Sequence, residues 1–257
     1  MTPPALASYN DKLYAAFVRP NDKAVMWSHL DGQTWTAPER IGGDHSIFAP
    51  ALVAGHGKLF YAVTGTNNSL YWRTFNGTTW GPVSKFEGYG SVLAPSLATY
   101  SGRVWLIHVG AEGRLFLDTH NGTSWSGPYG NNLNWQVGNP LALAPHGDHL
   151  WRISTGTGGT YFSTSDGGAR WTNQGTNTHS DWVTPRGSAA TAHGGKLWVI
   201  LRAQDGTVRG IPWGAPRGAA SRPSAPSKRA RRWASRPRPP TTTSCTSCTA
   251  ADPRHAR

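Results

Sequence analysis

The chain has 257 residues and a formal net charge of +12, with 31 Gly, 19 Pro, 13 Trp and only 15% charged residues. It contains no run of about 18 apolar residues, so it offers no membrane-spanning helix. The start, Met1-Thr2-Pro3-Pro4, has no basic region followed by an apolar stretch, so no signal peptide is visible. Residues 214–257 carry ten of the 25 Lys and Arg and one of the 13 acids, leaving residues 1–213 with a net charge of +3. A basic balance ordinarily suggests nucleic acid or another polyanion, but here it belongs to the tail and not to the body. Both cysteines, Cys245 and Cys248, lie in that tail, which excludes a disulfide framework in the body.

From the first residues onward the chain repeats. Pro4-Ala5-Leu6, Pro50-Ala51-Leu52, Pro95-Ser96-Leu97, Pro140-Leu141-Ala142 and Pro185 open five copies at spacings of 46, 45, 45 and 45. Each opening is followed by a small turn such as Asn10-Asp11, His56-Gly57 or Ser101-Gly102. An apolar stretch comes next: Leu13–Phe17, Leu59–Val63, Val104–Ile107, Leu150–Ile153 and Leu197–Leu201. A second turn then ends in tryptophan. It reads Asp31-Gly32-Gln33-Thr34-Trp35, Asn76-Gly77-Thr78-Thr79-Trp80, Asn121-Gly122-Thr123-Ser124-Trp125 and, one residue longer, Asp166-Gly167-Gly168-Ala169-Arg170-Trp171. Asn-Gly and Asp-Gly tolerate positive φ and so mark tight hairpins.

Four short strands fit each copy. In the first they are predicted near 4–9, 12–19, 24–30 and 34–41, and in the second near 50–54, 58–64, 69–75 and 79–86. The second strand is apolar on both faces: Leu13 and Phe17 point one way, Tyr14 and Ala16 the other. Such a strand needs a neighbouring sheet on each side. Four strands in about 45 residues, sandwiched between like units, is the arithmetic of a β-propeller. The predicted fold is therefore all-β, with four-stranded antiparallel blades at about 2–46, 47–91, 92–136 and 137–181. A partial fifth at 182–213 makes an incomplete ring, so the chain reads as a fragment. The fourth blade is poor in large apolar residues, which predicts a looser core. Residues 214–257 contain no Leu, Ile, Val, Phe, Met or Tyr and seven Pro. This composition predicts a disordered basic tail, and the abrupt change inside a repeat resembles out-of-frame translation. The tail could hold polyanions non-specifically.

Thr164-Ser165-Asp166-Gly167-Gly168-Ala169-Arg170-Trp171 resembles the Asp box of sialidases, a folding device away from the active site. That resemblance implies a structural turn role for Asp31, Trp35, Asn76, Trp80, Asn121, Trp125, Asp166, Gly168 and Trp171. The repeat as a whole, over residues 2–213, resembles the bladed β-propeller lectins of fungi and bacteria, several of which bind fucose. Membership of that group would imply an extracellular, non-catalytic protein that binds glycans in clefts between blades. Sugars there are held by an aromatic ring on the C–H face and polar groups on the hydroxyls. Candidates are Trp27, Trp72 and Trp105 for stacking, and Arg19, Arg73, Glu39 and Glu87 for hydroxyls. The competing reading makes the rings blade packing and the charges solvated strand ends. No regular Arg and Glu pair recurs in each blade, which argues against fucose itself.

A sialidase-type exo-glycosidase is the alternative, and a protein-interaction propeller a third reading. Glycoside hydrolysis needs two placed carboxyls or a Tyr with a partnering acid. The body has three Glu (Glu39, Glu87 and Glu112), and Arg40-Ile41-Gly42-Gly43 is not the Arg-Ile-Pro signature of sialidases. The sequence thus names no catalytic residue and implies no cofactor. His146-x-x-His149 is a lone pair, short of the three or four ligands of a zinc site, so no metal is expected. An unclosed arc would leave two apolar blade faces open, with Trp182, Leu197 and Trp198 near one of them. Self-association is then expected.

Overall fold

A computed structural model describes residues 2–130, 137–156, 158–167, 170–178, 182–184, 187–203 and 205–213. The described strands belong to one unit, Met1–Pro223, and the basic tail lies outside the described residues. The first blade comprises β1 (Ala5–Tyr9), β2 (Lys12–Val18), β3 (Ala24–Asp31), β4 (Thr34–Trp35) and β5 (Glu39–His45). In the second are β6 (Ala51–Gly55), β7 (Lys58–Thr64), β8 (Ser69–Phe75) and β9 (Ser84–Gly90). The third has β10 (Ser96–Tyr100), β11 (Arg103–Val109), β12 (Leu115–His120) and β13 (Trp125–Gly130). The fourth contains β14 (Ala142–His146), β15 (His149–Gly156), β16 (Gly159–Ser165) and β17 (Thr172–Asn177), and the fifth β18 (Ala189–His193), β19 (Lys196–Arg202) and β20 (Val208–Pro212).

Every sheet is an antiparallel meander in sequence order. The first strands of successive blades lie beside one another: β1 next to β6, β6 next to β10, β10 next to β14, and β14 next to β18. This is the β-propeller arrangement of five blades, the fifth with three described strands, in an incomplete ring.

The outer strand differs from the expectation of one continuous strand. In the first blade it is broken between β4 and β5, and in the second Trp80 pairs with Phe75 as a lone bridge before β9 resumes. Pro38 and Pro82 fall in these breaks. Proline has no N–H to give the ladder, and an outermost strand tolerates that loss. In the third blade the register slips beside Gly127, whose φ is +129°.

Side chains alternate between the two neighbours of each blade. Leu59, Tyr61 and Val63 join Tyr14, Ala16 and Val25 in the core between blades one and two. Phe60, Ala62 and Leu70 join Leu97, Val104 and Leu106 between blades two and three. In the fourth blade, buried Thr160 and Ser165 take the places that Leu70 and Phe75 hold in the second.

The blades are also latched by hydroxyls. Buried Ser46 donates to the Thr64 carbonyl, Ser91 to the Val109 carbonyl and Thr184 to the Arg202 carbonyl. Each latch fixes the link entering a blade to the end of that blade's second strand. The first-to-second-strand hairpins are tied across blades too. Tyr9 Oη donates to the Gly57 carbonyl at 2.8 Å, and Tyr100 Oη donates to that of Asp148.

Candidate functional site

Two of the tryptophan-ending turns are held by their own first side chain. Asn76 Oδ1 accepts the backbone N–H of Thr78 at 2.9 Å and of Thr79 at 2.8 Å. Asn121 Oδ1 does the same for Thr123 and Ser124 at 2.9 and 3.0 Å. Asp31 and Thr34 pair across the equivalent turn of the first blade. In the fourth, Gly168 lies outside the described residues, and the Gly167 N–H beside Asp166 donates to Ser165 Oγ. Trp80 and Trp125 lie against the preceding blade, Trp80 edge-on to Trp27 and Trp125 edge-on to Trp72. Trp171 is buried, whereas Trp35, with no preceding blade, is exposed.

Trp27 and Trp72 occupy the same register position in consecutive blades, opposite Ala16 and Ala62. Both are half-buried. Trp27 stacks on Tyr14 at 6.2 Å and tilts on Phe75 at 5.0 Å. Trp72 stacks on Phe60 at 6.5 Å and meets Phe86 at 6.4 Å. Glu39 is exposed on β5 directly across from Trp27, so ring and carboxylate share one side of the sheet. Trp105 is placed otherwise. It is only 2% exposed, and its indole N–H donates to the Tyr100 carbonyl at 3.0 Å. Its ring face is spent in the core, so it is a packing residue and not a stacking one.

The charged candidates separate as well. Arg73 is committed to an ion pair across the first blade boundary. Its Nε and Nη2 donate to Asp44 at 3.0 and 2.9 Å, and its Nη1 donates to the Gly81 carbonyl. Only about a tenth of either side chain is exposed, so little of this guanidinium is left for a sugar. The Asp44 hydrogen bond raises the Arg73 pKa further, while burial raises that of the adjacent Tyr61, with the Asp44 charge adding to it. Arg19 lies at the opposite extreme. Its guanidinium donates to Asp22 on the β2–β3 loop, which also accepts from Arg40 of β5 at 2.6 Å, in an exposed cluster. These partners, Arg19 first, hold the Asp22 carboxyl well below the usual range. Glu87 is exposed and pairs loosely with Lys85 at 3.4 Å.

Several contacts that matter were missed from sequence. Trp151 and Trp198 repeat the Trp105 indole bond, to the His146 and His193 carbonyls. Their alignment at one repeat position was the available signal. Arg152 is buried with its guanidinium 4.9 Å from the Trp171 ring and Nε donating to Ser163, and burial pushes its pKa down to about 10. His120 is buried among Phe60, Trp72 and Trp125, and its Nδ1 accepts the Gly122 N–H at 3.0 Å. Among the described residues no group of three or more His, Cys, Asp or Glu could hold a metal ion.

No family model matches the sequence, and no curated protein matches it significantly. Solved structures do match. The SapL1 lectin in complex with α-methyl fucoside superposes with a TM-score of 0.65 at 15% identity, over 87% of this chain and 81% of its own. The six-bladed β-propeller lectin of Aleuria aurantia gives 0.63 at 15% identity, over 88% and 80%. A Hadza microbial sialidase gives 0.60 at 13% identity, covering 81% of this chain and 55% of its own. The fold is thus that of the bladed β-propellers, shared with fucose-binding lectins and, more distantly, with a sialidase.

Proposed function

We propose that this propeller binds glycans without catalysis, at the boundaries between blades. The observation that carries the reading is the repeated half-buried tryptophan, Trp27 and Trp72, with Glu39 across the sheet from the first. A pyranose presents an apolar C–H face and a rim of hydroxyls, which suits a partly exposed ring beside a carboxylate. Repetition would make binding multivalent, each cleft weak and the whole strengthened by avidity. The lectin-like neighbours support the sugar class, and an extracellular setting accompanies that reading. Among the described residues no helix is long and apolar enough to cross a membrane.

The test is a glycan array probed with the full chain, Trp72→Ala and Glu39→Gln. Binding to a defined sugar set that weakens in both variants is the expected result. Binding untouched by either variant would move the site elsewhere. Silence from folded protein would sink the lectin reading. The sialidase-type alternative is separated by a fluorogenic sialoside, whose hydrolysis above blank, lost on one carboxylate substitution, would replace binding with catalysis.

A further inference from the structure

Each blade has an incoming face, packed on the blade before it, and an outgoing face, packed on the blade after it. The chain's two free faces are one of each kind. On the incoming face of the first blade, Leu6 is 55% exposed, whereas its counterparts Leu52, Leu97 and Leu143 are 8%, 7% and 5% exposed. Trp35 on that face is 44% exposed against 3% for Trp171. Leu13, Phe17 and Leu30 lie half-buried between them. On the outgoing face of the fifth blade, Ile200 is 41% exposed, whereas Ala16, Ala62 and Ile153 at the same position are 0%. Val208, across from Arg202, is 64% exposed against 0% for Val25 and Leu70. Trp198 completes this face. Trp182 and Leu197, expected beside it, are instead buried against the fourth blade, Leu197 pointing to the opposite side of β19 from Trp198.

These exposures exclude closure of the arc on itself, since contact between the first and fifth blades would cover both sets. The tail cannot furnish a blade face, because residues 214–257 contain no Leu, Ile, Val, Phe, Met or Tyr. We infer that the occupant is a second copy of this chain, joined head to tail, with the incoming face of one copy on the outgoing face of the next. The argument is continuity with the four boundaries inside the chain, each of which pairs these two face types at these registers. Two incoming or two outgoing faces would not mesh that way. A heterologous contact of this kind propagates unless its rotation closes a ring. The inference is independent of the sugar reading.

The experiment uses full-length chains and sedimentation at a salt concentration that screens the tail. Leu6→Glu and Ile200→Glu each put a charge on one free face at an already exposed position, and Val208→Glu repeats the second change. Wild type should gain mass as concentration rises, and each single variant should stay monomeric. An equimolar mixture of Leu6→Glu and Ile200→Glu should double in mass and stop there, because each retains the face the other has lost. A wild type that stays monomeric, a double variant that associates like wild type, or a mixture that remains monomeric would overturn the inference.

Discussion

The first two blade boundaries solve one packing problem with opposite chemistry. Between blades one and two, an aromatic layer of Tyr14, Trp27, Phe75 and Trp80 is crossed by the Asp44–Arg73 ion pair. Between blades two and three, the corresponding layer holds Phe60, Trp72, Phe86 and Trp125, with His120 at the place of Phe75. The lesson is that the repeat preserves shape and the aromatic layer while the polar content of each boundary is individual. A buried ion pair adds little net stability but makes a wrong pairing costly, so the first boundary carries a penalty against misassembly that the second does not share.

The largest way to break this contrast is Asp44→Ala, which strands the Arg73 charge in a mostly buried position. A loss of about 3–5 kcal/mol is expected in chemical denaturation. Replacing both partners together, Asp44→Leu with Arg73→Met, should restore most of it. Gly42→Ala acts on the same pair from the backbone. Gly42 has φ +55°, and an added Cβ would come within 2.7 Å of Arg73 Nη2. A cost of about 1–3 kcal/mol should appear in the same measurement. At the turns, Asn76→Ala and Asn121→Ala each remove an acceptor of two backbone N–H groups and should cost about 1 kcal/mol apiece, equally at the two boundaries.

The smallest effect sharpens the contrast through pH. Burial, then the charges of His56 and Lys58, lowers the His120 pKa. As pH falls, the unfolded chain therefore takes up this proton before the folded one does. Stability contributed by neutral His120 should be intact above the ordinary histidine value of about 6.5, decline below it, and level off beneath the lowered folded value. Melting between pH 7 and 5.5 should show this slope, and His120→Phe should flatten it. A slope unchanged in His120→Phe would assign the titration to another histidine.

The period, the blades and the turn chemistry were legible because they rest on local rules. Asn-Gly dictates the hairpin, and an apolar run on both faces dictates two neighbours. Trp27 and Trp72 were legible as candidates because their position recurs. Trp105 was misread because an indole in a strand looks the same whether it faces a cleft or returns its N–H to a carbonyl five residues back. Arg73 was misread because its partner Asp44 lies 29 residues away in another blade and recurs in no other copy. The latches at Ser46, Ser91 and Thr184 escaped notice because a serine or threonine in a link is ordinary. Only the carbonyl it reaches distinguishes it.

Those latches bear on how such a chain is assembled and varied. Each closes a loop spanning 18 residues, from the link before a blade to that blade's own second strand. The second, third and fifth blades therefore each carry a fastening within their own stretch of chain, in addition to bonds with the blade before, such as the Ser46 N–H to the Lys23 carbonyl. A unit cut from Ser46 to just before Ser91 keeps its latch whole, and so does one cut from Trp35 to Trp80, because both latch partners lie inside either span. Circular permutants opened just before Ser46 or Ser91 keep every latch intact, whereas those opened within the following loop sever one.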